Sequence, residues 1–186
     1  NWQQNSSGIY TFHNPFANLN AKATSVTDNL TSNLDLSYEI LSGLQLSVSS
    51  GYNKIEMNQN IIYLATAYSP ASASSAASLR TNEFPNNTLK TWIIEPQASY
   101  KKKLGKGQLE VLFGATFQEN KQTILEEEAY GFSSDALVNN IAAASNTYIA
   151  NYSFTDYRYN AFYGRLGYNW EEKYIINITA RRDGSS

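Results

Sequence analysis

Apolar and polar residues alternate along most of this 186-residue chain. In the first clear window one parity carries Val26, Leu30, Leu34, Leu36, Tyr38 and Ile40. The opposite parity carries Asn29, Thr31, Asn33, Asp35, Ser37 and Glu39. Because successive side chains of a strand point to opposite faces, this period of two predicts a β-strand with one apolar and one polar face.

Six windows of the chain show this alternation, and short turns near residues 42, 104 and 172 join them in pairs. The connections between pairs are much longer, from about Met57 to Lys90 and from about Asn120 to Thr155. The pattern predicts six antiparallel strands in three hairpins. Within the third strand we expect a bulge or an edge position at Pro96, because proline cannot donate a hydrogen bond to a neighbouring strand.

The strict alternation of short and long connections is typical of a transmembrane β-barrel, which has tight periplasmic turns and long extracellular loops. Aromatic residues support this interpretation, because Tyr and Trp concentrate at membrane–water interfaces. Near the short turns we predict an interfacial ring of Tyr38, Tyr100, Tyr168, Trp170 and Tyr174. Near the long connections we predict a second ring of Tyr52, Trp92, Phe117 and Tyr157 or Tyr159.

A soluble β-sandwich is the competing fold, because alternation does not distinguish a face that contacts lipid from one that is buried between sheets. Charged residues make up only 16% of the chain and aromatic residues 13%, which favours the membrane barrel. No stretch approaches 18 consecutive apolar residues, so the sequence predicts no transmembrane helix.

Composition and residue types exclude several kinds of function. A net charge of -2 gives no basic surface for nucleic acid. The chain has no cysteine and a single histidine, His13, so it has neither a thiolate metal site nor a histidine-based triad. Glu126, Glu127 and Glu128 are consistent with calcium binding or paired carboxylate catalysis, but a solvated strand end explains them better. We therefore predict no enzyme active site, metal site or cofactor.

The long connections are the candidate binding regions, because loops of this length are usually functional. Their aromatic residues Tyr68, Phe84 and Phe132 are candidates for stacking on a sugar or contacting a partner. The segment SPASASSAASLR is a low-complexity run of small residues. In the second connection, Ser133, Ser134 and Asp135 precede DALVNNIAAA and predict a capped short helix there.

Three ordered segments carry a resemblance to a known family. They are NTLKTWIIEPQASYKKKLGKGQLEVLFGATFQ, GFSSDAL and YRYNAFYGRLGYNWEEKYIINITARRDGSS, of which GRLGYNWEEKYIIN and ARRDGSS are the most specific. Over about residues 25 to 186 the sequence resembles the barrel of SusC/RagA-type TonB-linked outer-membrane transporters of Bacteroidota. The resemblance implies a plugged barrel of about 22 strands, of which this chain would supply about six.

The resemblance also implies the role of the whole transporter. Residues 1–186 would form part of the barrel domain, without the plug domain, the TonB-contacting segment or the terminal strand. The transporter would import oligosaccharides or peptides with a SusD-like surface lipoprotein, would be driven by TonB–ExbB–ExbD, and would lie in the lipid of the bacterial outer membrane. A related barrel with a structural or secretion-linked role is the alternative, because a fold does not fix a function.

Overall fold

A computed structural model describes residues 5–7, 15–69 and 79–186. The strands are β1 (Lys22–Leu41), β2 (Leu44–Tyr63), β3 (Thr81–Leu104), β4 (Gly107–Tyr130), β5 (Asn146–Trp170) and β6 (Tyr174–Ser185). They form one antiparallel sheet in the order β1-β2-β3-β4-β5-β6, which confirms the six strands and three hairpins predicted from the sequence. The prediction at His13 lies outside the described residues.

The strands are longer than the alternation predicts. The connection after β2 spans only residues 64–80 and the one after β4 only residues 131–145, so the longer connections predicted from Met57 and Asn120 are wrong. The extra strand residues include EMNQN in β2 and QENKQ in β4, which are polar on both faces. Backbone pairing continues through them, but they carry no hydrophobic period by which a strand is recognised.

Two local predictions are met in part or not at all. Pro96 lies in β3, which pairs with both β2 and β4, so the predicted edge position is wrong and the alternative of a bulge stays a prediction. One missing ladder hydrogen bond costs about 1 kcal/mol, which a 24-residue strand can absorb. The predicted helix through DALVNNIAAA is instead two 3-10 turns, Asp135–Leu137 and Ile141–Ala143. The Asn140 side chain accepts a hydrogen bond from the Ala142 N–H (3.1 Å) and begins the second turn afresh.

The apolar parity of the strands forms one face of the sheet, and large side chains on it remain exposed in the described chain. Leu34 is 55% exposed, Leu166 44% and Ile178 59%. A soluble sandwich needs these side chains buried between two sheets, so that alternative is wrong. The buried apolar residues of the described part of the chain are instead alanines and a few larger residues: Ala17, Ile62, Ala115, Ala129, Phe132, Val138 and Ala161. None of the described helices is long and apolar enough to cross a membrane.

Internal contacts divide the chain into two compact units. The loop unit comprises Asn1–Asp28, Glu56–Asn87 and Thr123–Ser153, and it contains both long connections. The turn unit comprises Asn29–Ile55, Thr88–Gln122 and Phe154–Ser186, and it contains the three short turns.

Glycines and unusual backbone conformations close the short turns. Gly43 (φ +85°) and Gly105 (φ +61°) lie in the left-handed region. The Gly43 carbonyl accepts a hydrogen bond from the Lys101 N–H (2.8 Å), and a Cβ on Gly43 would lie 2.1 Å from the Lys101 carbonyl oxygen. A Cβ on Gly105 would meet nothing within 4 Å. The first turn therefore requires glycine because of its left-handed backbone and because of the close contact with Lys101, whereas the second requires it only because of its left-handed backbone.

These two glycines give a matched test of the hairpins in the full-length protein. Gly105→Ala adds only left-handed backbone strain and should cost about 1 kcal/mol. Gly43→Ala adds the same strain and a clash with a backbone carbonyl, and should cost about 3 kcal/mol in total. The loss of compact-barrel mobility on denaturing gels with rising temperature measures both. Equal midpoints for the two variants would contradict the close approach of β3 to the first turn.

Candidate functional site

A small hydrophobic core supports the connections of the loop unit. Phe132 is fully buried and packs with Ile62, Ala129 and Val138, and Phe84 lies partly buried against this cluster. The buried Asn82 side chain donates a hydrogen bond to the Val138 carbonyl (2.7 Å). The connection of residues 131–145 is thus held by its own apolar side chains and by a hydrogen bond to β3.

Arg80 fastens the same connection from the start of β3. Its Nε lies 2.5 Å from the Asp135 carboxylate, and its Nη1 donates to the Phe132 carbonyl (3.3 Å). The Ser145 hydroxyl donates to the Gly131 carbonyl (2.7 Å) and closes the base of the connection. Charge-assisted hydrogen bonds of the Arg80 type are stronger than neutral ones, so this loop is preorganised.

The three aromatic candidates have different surroundings, and Phe84 lies in β3 and not in a connection as predicted. Phe132 is fully buried, so its ring has no exposed face for a ligand, and it is a packing residue. Phe84 packs against the same core and is only partly exposed. Tyr68 is half-buried, and burial, followed by the charges of Tyr63, Glu128 and Glu83, raises the pKa of its hydroxyl. That hydroxyl therefore stays protonated at physiological pH and can donate a hydrogen bond.

Acidic side chains lie near Tyr68. They are Glu128 of β4 and Glu83 of β3, and Glu126 of β4 lies near Glu83. The Tyr148 hydroxyl donates a short hydrogen bond to Glu128. Within the described residues no group of carboxylates or histidines is arranged to hold a metal ion. What the arrangement provides is a negatively charged surface that bears tyrosine hydroxyls.

The polar parity of the turn unit carries hydrogen bonds between strands. Glu110 lies 3.5 Å from Arg165 and 3.4 Å from Lys101. The Thr116 hydroxyl donates to Glu95 (3.0 Å). The Arg181 guanidinium contacts Asp183 (2.8 Å) and Tyr159 (2.6 Å), and it lies 5.8 Å from the centre of the Tyr163 ring. Charged side chains therefore pair across neighbouring strands on the polar face.

The residues of the predicted ring near the short turns are all at least partly accessible. Tyr38 and Tyr174 are strongly exposed, Trp170 is exposed, and Tyr100 and Tyr168 are half-buried. The Tyr168 and Trp170 rings lie 6.2 Å apart. The Tyr168 hydroxyl donates to the Leu104 carbonyl (3.1 Å), and its ring covers Gly107, where a Cβ would approach within 2.6 Å. That these aromatics lie at a membrane interface remains a prediction.

Sequence reasoning missed an ionic cluster on the apolar parity. The Glu119 carboxylate accepts a hydrogen bond from Trp92 Nε1 (2.9 Å). It also forms ion pairs with Lys121 Nζ (3.0 Å) and Arg158 Nε (3.0 Å). Arg158 also contacts Asp156 (2.9 Å). The signal in the sequence is that Glu119 and Lys121 continue the parity of Phe117, which places charges directly after a predicted interfacial aromatic. A charged side chain beside an interfacial Trp is expected where lipid meets water.

Comparisons with known proteins agree with this architecture. No family model matches the chain. It is 33% identical over 100 residues to TonB-dependent receptor P26 of Formosa agariphila, covering 52% of the chain and 10% of that protein. It is 25% identical over 191 residues to TonB-dependent receptor P3 of the same organism, covering 98% of the chain and 19% of that protein. The chain thus spans between a tenth and a fifth of the length of these relatives.

Solved structures have the same fold. The RagAB peptide importer in its closed-closed state matches 96% of the chain and 20% of its own length, with a TM-score of 0.74 and 18% identity. The predicted resemblance to SusC/RagA-type TonB-dependent transporters is confirmed. The siderophore receptor PiuA from Acinetobacter baumannii matches 87% of the chain and 26% of its own length, with a TM-score of 0.50 and 12% identity. The matches indicate an outer-membrane protein with a transporter-type barrel.

The fastening of residues 131–145 in this SusC/RagA-like segment is testable in the full-length protein. Arg80→Met removes the Asp135 ion pair and the hydrogen bond to Phe132, and should lower the local stability of the loop by about 2 kcal/mol. Asp135→Asn leaves the bond to Phe132 and should cost about half as much. Amide hydrogen exchange of residues 131–145 reports the loss of protection. If Arg80→Met leaves that exchange unchanged, the fastening role assigned to Arg80 is wrong.

Proposed function

We propose that this segment forms part of the wall and extracellular loops of an outer-membrane TonB-dependent importer. The importer takes up oligosaccharides or peptides together with a SusD-like surface lipoprotein. Energy reaches it from TonB–ExbB–ExbD through parts of the protein outside these residues. Residues 1–186 belong to its barrel domain, and the plug domain and terminal strands are supplied by the rest of the transporter.

The exposed apolar face of the sheet is the observation that carries this proposal. Side chains such as Leu34 and Ile178 lack any cover within the described chain, and hydrocarbon is the solvent that such a face suits. The edges of β1 and β6 have one neighbouring strand each. In a bilayer each unpaired backbone group costs several kcal/mol, so both edges need further barrel strands.

The loop unit supports the proposed contact with substrate and lid. Its second connection is preorganised by the Phe132 core and by Arg80, which lowers the entropic cost of binding. Tyr68 presents a protonated hydroxyl and a partly exposed ring, a combination suited to sugars and to peptides. The structurally similar RagAB is a peptide transporter, which supports peptides as one of the two substrate classes.

The negative charge of the loop unit narrows the substrate class. Glu83 and Glu128 lie near Tyr68 and Glu126 lies near Glu83, so a polyanionic glycan would be repelled there. Neutral oligosaccharides and neutral or basic peptides are the substrates that this surface favours. Transport of this kind requires no chemical step, and the named relatives and neighbours are receptors or transporters and not enzymes. The proposed function accordingly needs no catalytic residue and no cofactor.

The second candidate is a related barrel that acts as a structural or secretion-linked partner in an outer-membrane complex. It shares the exposed apolar face and the barrel fold, and it differs in having loops that bind protein permanently instead of releasing a substrate. The half-buried Tyr68 beside acidic side chains favours the importer, because a permanent protein contact is usually more apolar.

Uptake by cells that produce the full-length protein tests the proposal. Labelled neutral oligosaccharides and labelled peptides should enter only when TonB is active. Tyr68→Ala should lower uptake of the preferred class about 2- to 10-fold by removing the ring contact. Tyr68→Phe keeps the ring and should retain most of the uptake.

The controls separate the two candidates. Amounts of each variant in the outer membrane, and co-purification of the surface lipoprotein, are measured alongside uptake. Absence of TonB-dependent uptake of either class, with secretion or assembly of another protein lost on deletion, would favour the structural partner. Normal uptake by Tyr68→Ala would remove Tyr68 from the substrate contacts.

A further inference from the structure

A groove of about 650 Å³ crosses the apolar parity of the turn unit. Its floor consists of the small or compact residues Pro96, Ala98 and Ala115. Bulky apolar side chains from three strands form its walls: Leu36, Tyr38, Leu46, Val48 and Phe113.

The sequence of β3 explains why the groove lies at Pro96 and Ala98. Along the apolar parity of this strand, Trp92, Ile94 and Tyr100 are large, and only Pro96 and Ala98 between them are compact. Side chains at i and i+2 of a strand share a face, so two compact residues in succession leave a depression between larger neighbours. Phe113 on β4 is 59% exposed and forms a wall beside it. The depression is therefore lined mainly by apolar side chains, together with Ser37, Ser47 and Gln97.

An unpaired cation lies beyond the groove on the same parity of β3. Lys102 lies two steps beyond Tyr100 and four residues from Ala98 on the same parity, about 13 Å along the strand. It is exposed and forms no ion pair with any residue that the structure describes. Lys101, on the opposite parity, is paired with Glu110 at 3.4 Å. Among Lys101, Lys102 and Lys103, Lys102 is therefore the lysine that lies on the parity of the groove and can pair with a ligand.

We propose that the groove binds one acyl chain of a glycerophospholipid whose phosphate pairs with Lys102. The inference rests on the proposed function only in requiring that this face contacts the membrane. An acyl chain is flexible and wholly apolar, which suits the mainly apolar depression lined by Pro96, Ala98 and Ala115. A phosphate beside Lys102 adds charge complementarity at the interface level of Tyr38 and Tyr100.

The groove is continuous with the exposed apolar side chains around it, including Leu34 on β1 and Ile94 on β3, which are 55% and 42% exposed. A bound acyl chain would complete that surface with hydrocarbon. A flat protein surface would span the depression and leave it empty, which forfeits contacts along its floor. These two points favour a lipid over a second copy of the chain as the occupant.

Native mass spectrometry of the full-length protein in mild detergent tests the proposal, with phosphatidylglycerol as the probe. Ala98→Phe fills the groove and should reduce the lipid adduct at least tenfold. Lys102→Gln should reduce the preference for phosphatidylglycerol over uncharged diacylglycerol about fivefold, the effect of one lysine near an anionic lipid surface. Leu34→Phe, on the same face outside the groove, is the matched control and should bind lipid like the unmodified protein.

Three results would overturn the proposal. The first is an undiminished adduct with Ala98→Phe. The second is retention of inorganic phosphate alone to the same extent as the phospholipid, which would assign Lys102 to a free anion. The third is a dimer that Ala98→Phe dissociates without any change in bound lipid, which would assign the groove to a second copy. Uptake measured on the same variants is independent of these outcomes, so an undiminished lipid adduct together with normal uptake refutes only the lipid site.

Discussion

The exposed apolar face of the sheet is the constraint on which the rest of this structure depends. A sheet that buries nothing against a second layer in water would lose the main favourable term of folding. With hydrocarbon against that face, the same side chains need no partner layer, and the remaining requirement is that every backbone group within the membrane be paired. Long antiparallel strands in sequential order meet this requirement through ladder hydrogen bonds between neighbours.

The opposite face and the connections solve different problems. On the polar parity, Glu110, Arg165 and Lys101 satisfy one another across strands, and Tyr163 covers Gly114, where a Cβ would approach within 2.4 Å. In the loop unit, Phe132, Val138 and Asn82 build a small core of the kind found in soluble domains. The same chain therefore contains a sheet face suited to lipid, which has no buried core, and a loop that is stabilised by a small hydrophobic core as in soluble domains.

Sequence reasoning found the strands wherever one face is apolar and the other polar. It placed short turns near residues 42 and 104, where the structure has the left-handed glycines Gly43 and Gly105. It placed strand ends too early in β2 and β4, where EMNQN and QENKQ have no apolar parity although the backbone remains paired. Side-chain pattern and backbone pairing are separate properties, and only the first is visible in a sequence.

The candidate site was harder to predict than the fold. Tyr68, Phe84 and Phe132 look alike as aromatic residues of long connections, yet Phe132 is the centre of a core and Tyr68 is partly exposed. That difference arises from the contacts of Phe132 with Ile62 and Val138. Ile62 is distant in the sequence and Val138 lies in the same loop, so no regular sequence spacing predicts either contact. The Glu119 cluster was missed for a similar reason. Its members Trp92, Glu119 and Arg158 lie on three different strands, β3, β4 and β5.

The most direct test of this account measures which parity of the strands faces lipid in the full-length protein. Single cysteines are introduced at Leu166 and Ile178 on the apolar parity, and at Arg165 and Asn177 on the polar parity, then labelled with a fluorophore in membranes. The account predicts strong quenching of the Leu166 and Ile178 positions by a lipid-confined quencher and little quenching of the other two. Equal quenching at all four positions, or strong quenching only at Arg165 and Asn177, would contradict the membrane-facing assignment.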